Sequence, residues 1–208
     1  MTSPDSVAGD ERLRLFLALR LPEPVLDELE AWQSAELAGR LRLVPRSHLH
    51  VTLAFLGSRP AGDLEAVLGA LRAAAADASP DLRLAPARYR ETRSVAMLVL
   101  DDLDGGATAL AEDVQARLER LGVYRREGRR WLPHVTVARF RERPGLRLEP
   151  PPVRTFVPSD AAAYLSRLHP RAGSVGGEAA DARLEDRGRL RQPRGAQYVV
   201  LESVGLGG

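Results

Sequence analysis

Leu13, Leu15, Leu17 and Leu19 alternate with Arg12, Arg14, Phe16 and Ala18, a period of two that predicts a strand with one wholly apolar face. Pro22 and Pro24 then open a helix whose apolar stripe is Val25, Leu26, Leu29 and Trp32. Leu41 to Val44 reads as a short strand stopped by Pro45, and His48 to Leu56 as a longer strand closed by Gly57. Pro60 and Asp63 start a second helix, with Leu64, Val67, Leu68, Leu71 and Ala75 recurring at helical spacing. Beyond Pro80, residues 82–89 and 94–100 predict two strands. Gly105 and Gly106 separate them from a third helix lined by Ala107, Leu110, Ala111, Val114, Leu118 and Leu121, with Gly122 placed to cap its C-terminus.

Residues 129–140 contain a further strand, and a proline-rich turn at 150–152 follows. Residues 153–157, 161–168 and 197–204 read as the last strands. Between Pro170 and Pro193 the chain is rich in Gly, Arg and acids and poor in large apolar residues. That composition predicts a mobile insertion at 171–194, with a helical turn around 182–190. Strands interleaved with three helices and followed by a run of strands indicate an α+β fold. The two halves echo each other, because each sets a helix before a strand that carries His-x-Thr.

The chain of 208 residues fits one domain, or one domain of two similar lobes, and an apolar fraction of 44% is enough for a packed core. The expected organisation is a flexible N-terminus over 1–11, one bilobal domain over 12–204, and a short tail over 205–208. No apolar run approaches the ~20 residues that span a membrane. The segment Met1 to Glu11 is polar and acidic rather than a secretory signal, so a cytoplasmic protein is expected. The absence of cysteine excludes disulfides, thiol nucleophiles and thiolate metal sites. All 30 basic residues are arginine, which excludes Schiff-base and P-loop lysine chemistry. A net charge of +2 conceals clustering: residues 117–154 hold 11 Arg against four acids. Clustered guanidinium groups suit a phosphate-bearing ligand, and equally suit a solvated surface.

The chemistry lies in two matched segments, His50-Val51-Thr52-Leu53 and His134-Val135-Thr136-Val137. Residues two apart on a strand share a face. Leu49, Val51, Leu53 and Phe55 are expected to face the core, leaving His48, His50, Thr52 and Ala54 on the other side. Val135 and Val137 likewise face the core, with His134 and Thr136 opposite. Each strand thus offers one imidazole and one hydroxyl side by side. Facing each other across a cleft, the pairs provide two proton-exchanging groups and two donors for a tetrahedral anion. Arg130 and Arg139 flank the second pair and supply positive charge. In-line displacement at phosphorus fits this set, with one imidazole taking a proton from the nucleophile and the other protonating the leaving oxygen. A metal reading also exists, because His48 and His50 share a face and three imidazoles with His134 can hold zinc.

His50 to Gly57 (His-Val-Thr-Leu-Ala-Phe-Leu-Gly) and Pro133 to Arg139 (Pro-His-Val-Thr-Val-Ala-Arg) resemble the paired motifs of the two-histidine phosphoesterase superfamily. The nearest branch is that of the bacterial and archaeal RNA 2′,3′-cyclic phosphodiesterases, formerly called 2′-5′ RNA ligases. Arg14 to Leu19, and Leu43-Val44-Pro45 followed by Leu49-His50, are similar to that branch as well. The resemblance implies a bilobal α+β fold, with two antiparallel-rich sheets related by a pseudo-twofold around a central groove and helices outside. It implies hydrolysis of an RNA 2′,3′-cyclic phosphate end to a 2′-phosphomonoester without metal or other cofactor, on RNA or a related nucleotide; apart from the resemblance, a monomer with no membrane partner is expected. Carried over, His50 is the general acid, His134 the general base, and Thr52 and Thr136 hold the phosphate oxygens. Arg139 is a phosphate contact, Arg130 a weaker one, and both assignments of the two histidine roles fit the residues. Trp131 reads either as a base-stacking side chain or as a packed aromatic at the lobe boundary. The insertion at 171–194 departs from the family pattern. Hydrolysis of small cyclic nucleotides or of 2′-5′ linked oligonucleotides is an alternative, and a noncatalytic RNA-end binding module is another.

Overall fold

A computed structural model describes residues 11–126, 128–168 and 196–207. The insertion at 171–194, His169 and the first ten residues lie outside the described residues. The architecture is α+β, with strands β1 (Arg12–Arg20), β2 (Arg42–Leu43), β3 (His50–Pro60), β4 (Leu84–Glu91), β5 (Val95–Asp102), β6 (His134–Arg139), β7 (Asp160–Leu168) and β8 (Ala196–Val204). The helices are α1 (Glu23–Glu36), α2 (Leu64–Ala76) and α3 (Gly106–Arg120). Among the described residues no helix is long and apolar enough to cross a membrane.

The strands run in the order β4-β5-β6-β3-β1-β7-β8, with β2 also pairing with β6. The two expected antiparallel sheets are therefore two halves of one sheet. They join through a single residue pair, Val51 with Val135, between β3 and β6. One lobe is β1-α1-β3 and the other is β5-α3-β6, and their ladders match residue for residue. Leu19 pairs with Val51 as Leu98 pairs with Val135, and Ala18 with Thr52 as Met97 with Thr136.

Each motif strand also carries a β-bulge at the same place. Leu53 is the unpaired extra residue of β3, and Val137 that of β6. A bulge frees backbone groups from the ladder and shifts the side-chain alternation by one. The shift explains a departure from the sequence expectation. Ala54 is buried in the core, while Phe55, expected to face inward, is 49% exposed on the histidine side. Arg139, in the equivalent position, is exposed as well.

Both bulge carbonyls accept from side chains of the opposite lobe, and that of Val137 also accepts from the Val44 N–H at 2.9 Å. Gln33 of α1 donates its side-chain amide to the Val137 carbonyl at 2.6 Å and to the Val44 carbonyl at 3.0 Å. Gln115 of α3 donates to the Leu53 carbonyl at 2.9 Å. Both glutamines are buried, with exposures of 2% and 8%. Each lobe's helix thus satisfies the bulge of the other lobe, as buried backbone polar groups require.

The main core lies between the sheet and the helices and takes in Leu17, Leu19, Val51, Leu71, Leu98, Val114 and Val135. The third helix closes as its sequence predicts. Gly122 adopts φ 70°, and the Val123 N–H bonds the Leu118 carbonyl while the Gly122 N–H bonds the Glu119 carbonyl. Leu121, expected inside, is exposed because it follows the last helical turn. The strand expected at 153–157 is reduced to one bridge between Phe156 and Leu84, since prolines at 150–152 and 158 remove ladder donors.

Replacing Gln115 by Leu takes the side-chain donor from the Leu53 carbonyl and is expected to lower stability by about 1–3 kcal/mol; Gln33→Leu takes it from the Val44 carbonyl, while that of Val137 keeps the Val44 N–H, and is expected to cost a similar amount. Urea unfolding checks this as a lower midpoint with unchanged m-value; an unchanged midpoint in both variants contradicts the bridging role.

Candidate active site

The residues singled out from sequence converge on the sheet face opposite the helices. The pairing of Val51 with Val135 sets the two motifs antiparallel and side by side. His50, Thr52, His134 and Thr136 are all half-buried there, flanking the inward-facing valines. Arg139 is exposed and electrostatically coupled to both His48 and His50. Arg130 is exposed in the segment before β6 and makes no described contact with either histidine or threonine.

Both imidazoles are locked in the same way. His134 Nδ1 lies 2.8 Å from the Leu132 carbonyl oxygen. A carbonyl only accepts, so Nδ1 carries the proton, which leaves Nε2 to the site in the neutral ring. His50 likewise hydrogen-bonds the carbonyl of His48, two residues before it. The bond fixes each ring's orientation and tautomer, which a proton-transfer group requires.

The surroundings of the two rings differ. His50 sits among aromatic rings: Phe16 stacks on it at 5.0 Å, with Tyr164 at 5.9 Å and Tyr198 edge-on at 5.8 Å. Phe16, Ala18, Ala162 and Tyr164 form a second apolar cluster on this side of the sheet, with Tyr198 packed against it. Burial in that cluster pushes the His50 pKa down to about 4, although its bond to the His48 carbonyl favours the charged ring. The charges of His48, His134 and Arg139 lower it further.

His48 does not continue the strand, as the alternation suggested. It ends a short 3₁₀ turn, Arg46–His48, and stacks on Tyr198 at 4.1 Å. Burial and Arg139 lower its pKa too. Among the described residues no group of three His, Cys, Asp or Glu side chains is arranged to hold a metal ion. Trp131 is the packed boundary aromatic of its two readings: the indole N–H donates to the Thr52 carbonyl at 3.0 Å and its ring packs on the main core. It ties the second lobe to the first motif.

The aromatic cluster is partly readable from sequence. Phe16 stands on the strand face opposite the leucines, but nothing in the sequence connects it with Tyr164 and Tyr198. Phe55 adds an exposed ring near Phe16, at 6.5 Å, with the Arg14 guanidinium 5.0 Å from its centre.

A sequence model of the 2′-5′ RNA ligase superfamily matches residues 21–174. The chain belongs to the 2′-5′ RNA ligase superfamily. An RNA 2′,3′-cyclic phosphodiesterase of Methanocaldococcus jannaschii is 23% identical over 137 residues, which are 62% of this chain and 72% of that protein. Among solved structures, Escherichia coli LigT in apo form superimposes with a TM-score of 0.68 at 21% identity, covering 94% of this chain and 99% of LigT. The protein TT0787 of Thermus thermophilus gives 0.71 at 27% identity, with 94% and 99% covered. LigT has also been solved with 3′-AMP. The fold of the superfamily, a curled antiparallel sheet with three helices, is the fold of this chain.

The depressed pKa of His50 has a consequence for stability. The unfolded chain protonates this ring near 6.5, the native protein only near 4. Between those values the unfolded state binds more protons, so stability falls as pH drops through that window. His50 contributes roughly 2 kcal/mol of that loss, given ~1.4 kcal/mol per unit and some residual solvent contact. Urea unfolding at pH 7.5 and 4.5 is expected to show a smaller loss in His50→Gln than in the parent; equal losses contradict the burial account.

Proposed function

We propose that the protein hydrolyses RNA 2′,3′-cyclic phosphate ends to 2′-phosphomonoesters by paired-histidine acid–base catalysis. The observation that carries this reading is the matched pair of His-x-Thr strands around the Val51–Val135 bridge, each imidazole oriented by the carbonyl two residues before it. Membership of the superfamily and the Methanocaldococcus relative support the reaction class.

In the proposed reaction a water attacks phosphorus in line with the P–O3′ bond. His134 takes the water proton as the new P–O bond forms, and His50 gives a proton to O3′ as the P–O3′ bond breaks. The phosphate stays on O2′. The Thr52 and Thr136 hydroxyls donate to the nonbridging oxygens, and the Arg139 guanidinium stabilises the charge that builds there. Water from bulk solvent drives the reaction towards hydrolysis rather than end joining.

His50 must be protonated to act as the acid, yet the free site keeps it neutral near pH 7. The anionic phosphate supplies the missing charge. Placed beside the ring it favours imidazolium, and an imidazolium held in an apolar cluster is a strong proton donor. In NMR titrations the His50 midpoint is expected near 4 in the free protein and to move up towards 6.5 with saturating inorganic phosphate. A midpoint that stays put assigns His50 to the base instead.

Each of His50→Ala and His134→Ala is expected to lower turnover of an RNA with a 2′,3′-cyclic end by about 10²–10⁴-fold. Chromatographic assay of the product decides this, and near-full activity in either variant removes that residue from the mechanism.

A further inference from the structure

We infer that Arg88 and Arg90 form a subsite for the phosphates of the RNA strand upstream of the reacting end. The inference rests on the proposed function and deepens it, by naming an oligonucleotide rather than a free cyclic nucleotide as the preferred substrate.

The ladder places both arginines in line with the catalytic pair. Arg90 pairs with Met97, which pairs with Thr136; Arg88 pairs with Val99, which pairs with His134. Met97 and Val99 thus lie on the histidine side of β5. The side chains of β4 divide accordingly. Tyr89 and Glu91 bond each other on the core side at 2.9 Å, so Arg88 and Arg90, alternating with them, project on the histidine side. Both are exposed.

Neither arginine has an ion-pair or hydrogen-bond partner among the described residues, whereas the nearest carboxylate on the strand is fully engaged. Glu91 accepts bonds from Tyr89, Arg143 and the backbone N–H groups of Gly145 and Leu146. Two strand spacings separate β4 from β6, about 10 Å, and residues two apart on a strand are about 6.7 Å apart. A strand whose last phosphate sits at His134 and Thr136 therefore meets two unneutralised guanidinium groups, spaced for successive phosphates, as it runs back across β5.

Among the described residues, the equivalent strand positions of the other lobe offer no such path. The positions equivalent to Arg90 and Arg88 are Ala162 and Asp160, opposite Ala18 and Arg20. Arg20 is already paired with Asp160 at 3.0 Å. Among the described strand positions the internal symmetry is broken in the sense that favours an upstream strand leaving over the second lobe.

The test compares Arg88→Ser/Arg90→Ser with the parent on a cyclic mononucleotide and on a short RNA ending in a 2′,3′-cyclic phosphate. The expected result is a KM for the RNA raised about tenfold, with kcat and mononucleotide hydrolysis unchanged. The slope of log KM against log salt for the RNA should fall by about 1.4, from the loss of two single-strand phosphate contacts. Arg88→Lys/Arg90→Lys should restore most of the RNA KM. Equal effects on both substrates, or none on the RNA, overturn the subsite. Should neither protein hydrolyse either substrate, the phosphodiesterase reading falls, and the subsite is judged by fluorescence anisotropy with a labelled RNA ending in a 2′-phosphate. Weaker binding in the serine variant then supports it, and equal binding overturns it.

Discussion

Between β3 and β6 the two lobes meet through one backbone pair, and β2 adds two more pairs with β6, so side chains hold much of the register. The glutamines of α1 and α3 do this. Each reaches across the junction to the carbonyl that a β-bulge has freed, Gln33 to Val137 and Gln115 to Leu53. These carbonyls follow Thr136 and Thr52 directly, so the same bonds that join the lobes also brace the motif strands. Trp131 adds a third tie, to the Thr52 carbonyl. Gln115 supplies the bulge at Leu53 with its side-chain donor, Gln33 and the Val44 N–H together supply that at Val137, and the opposed histidines need the bulged strands to lie where they do.

On this symmetric frame the side chains are not symmetric. Phe55 and Arg139 occupy equivalent positions just past the bulges. Around His50 the sheet carries Phe16, Tyr164 and Tyr198; around His134 it carries Met97 and Val99, with Arg88 and Arg90 beyond. One side is therefore aromatic and desolvating, and the other is edged by exposed guanidinium groups. Burial on the aromatic side lowers the proton affinity of His50.

Much of this is legible in the chain. The alternation in residues 12–19, the helical stripes and the repeated His-x-Thr mark the elements and the four central candidate residues, because each is a local signal of known period. What stays hidden depends on partners far apart in sequence. Gln33 and Gln115 look like ordinary helical surface residues until the opposite bulge is known. Phe55 reads as a core residue because strict alternation holds only where no residue is inserted into the ladder, and nothing in His-Val-Thr-Leu-Ala-Phe marks the bulge at Leu53. His48 reads as strand because nothing after Pro45 distinguishes a 3₁₀ turn from extended chain. The merging of two sheets into one rests on a single residue pair, too small a feature for any sequence pattern to register.

The central claim is that the two half-buried His-Thr pairs act as one acid–base site on a cyclic phosphate. Phosphorus NMR of a short RNA ending in a 2′,3′-cyclic phosphate, incubated with the protein in excess EDTA, tests it most directly. The account predicts loss of the cyclic resonance and growth of a single 2′-monophosphate signal. A 3′-monophosphate product would mean that the P–O2′ bond is the one broken. An unchanged cyclic resonance under these conditions would contradict the claim.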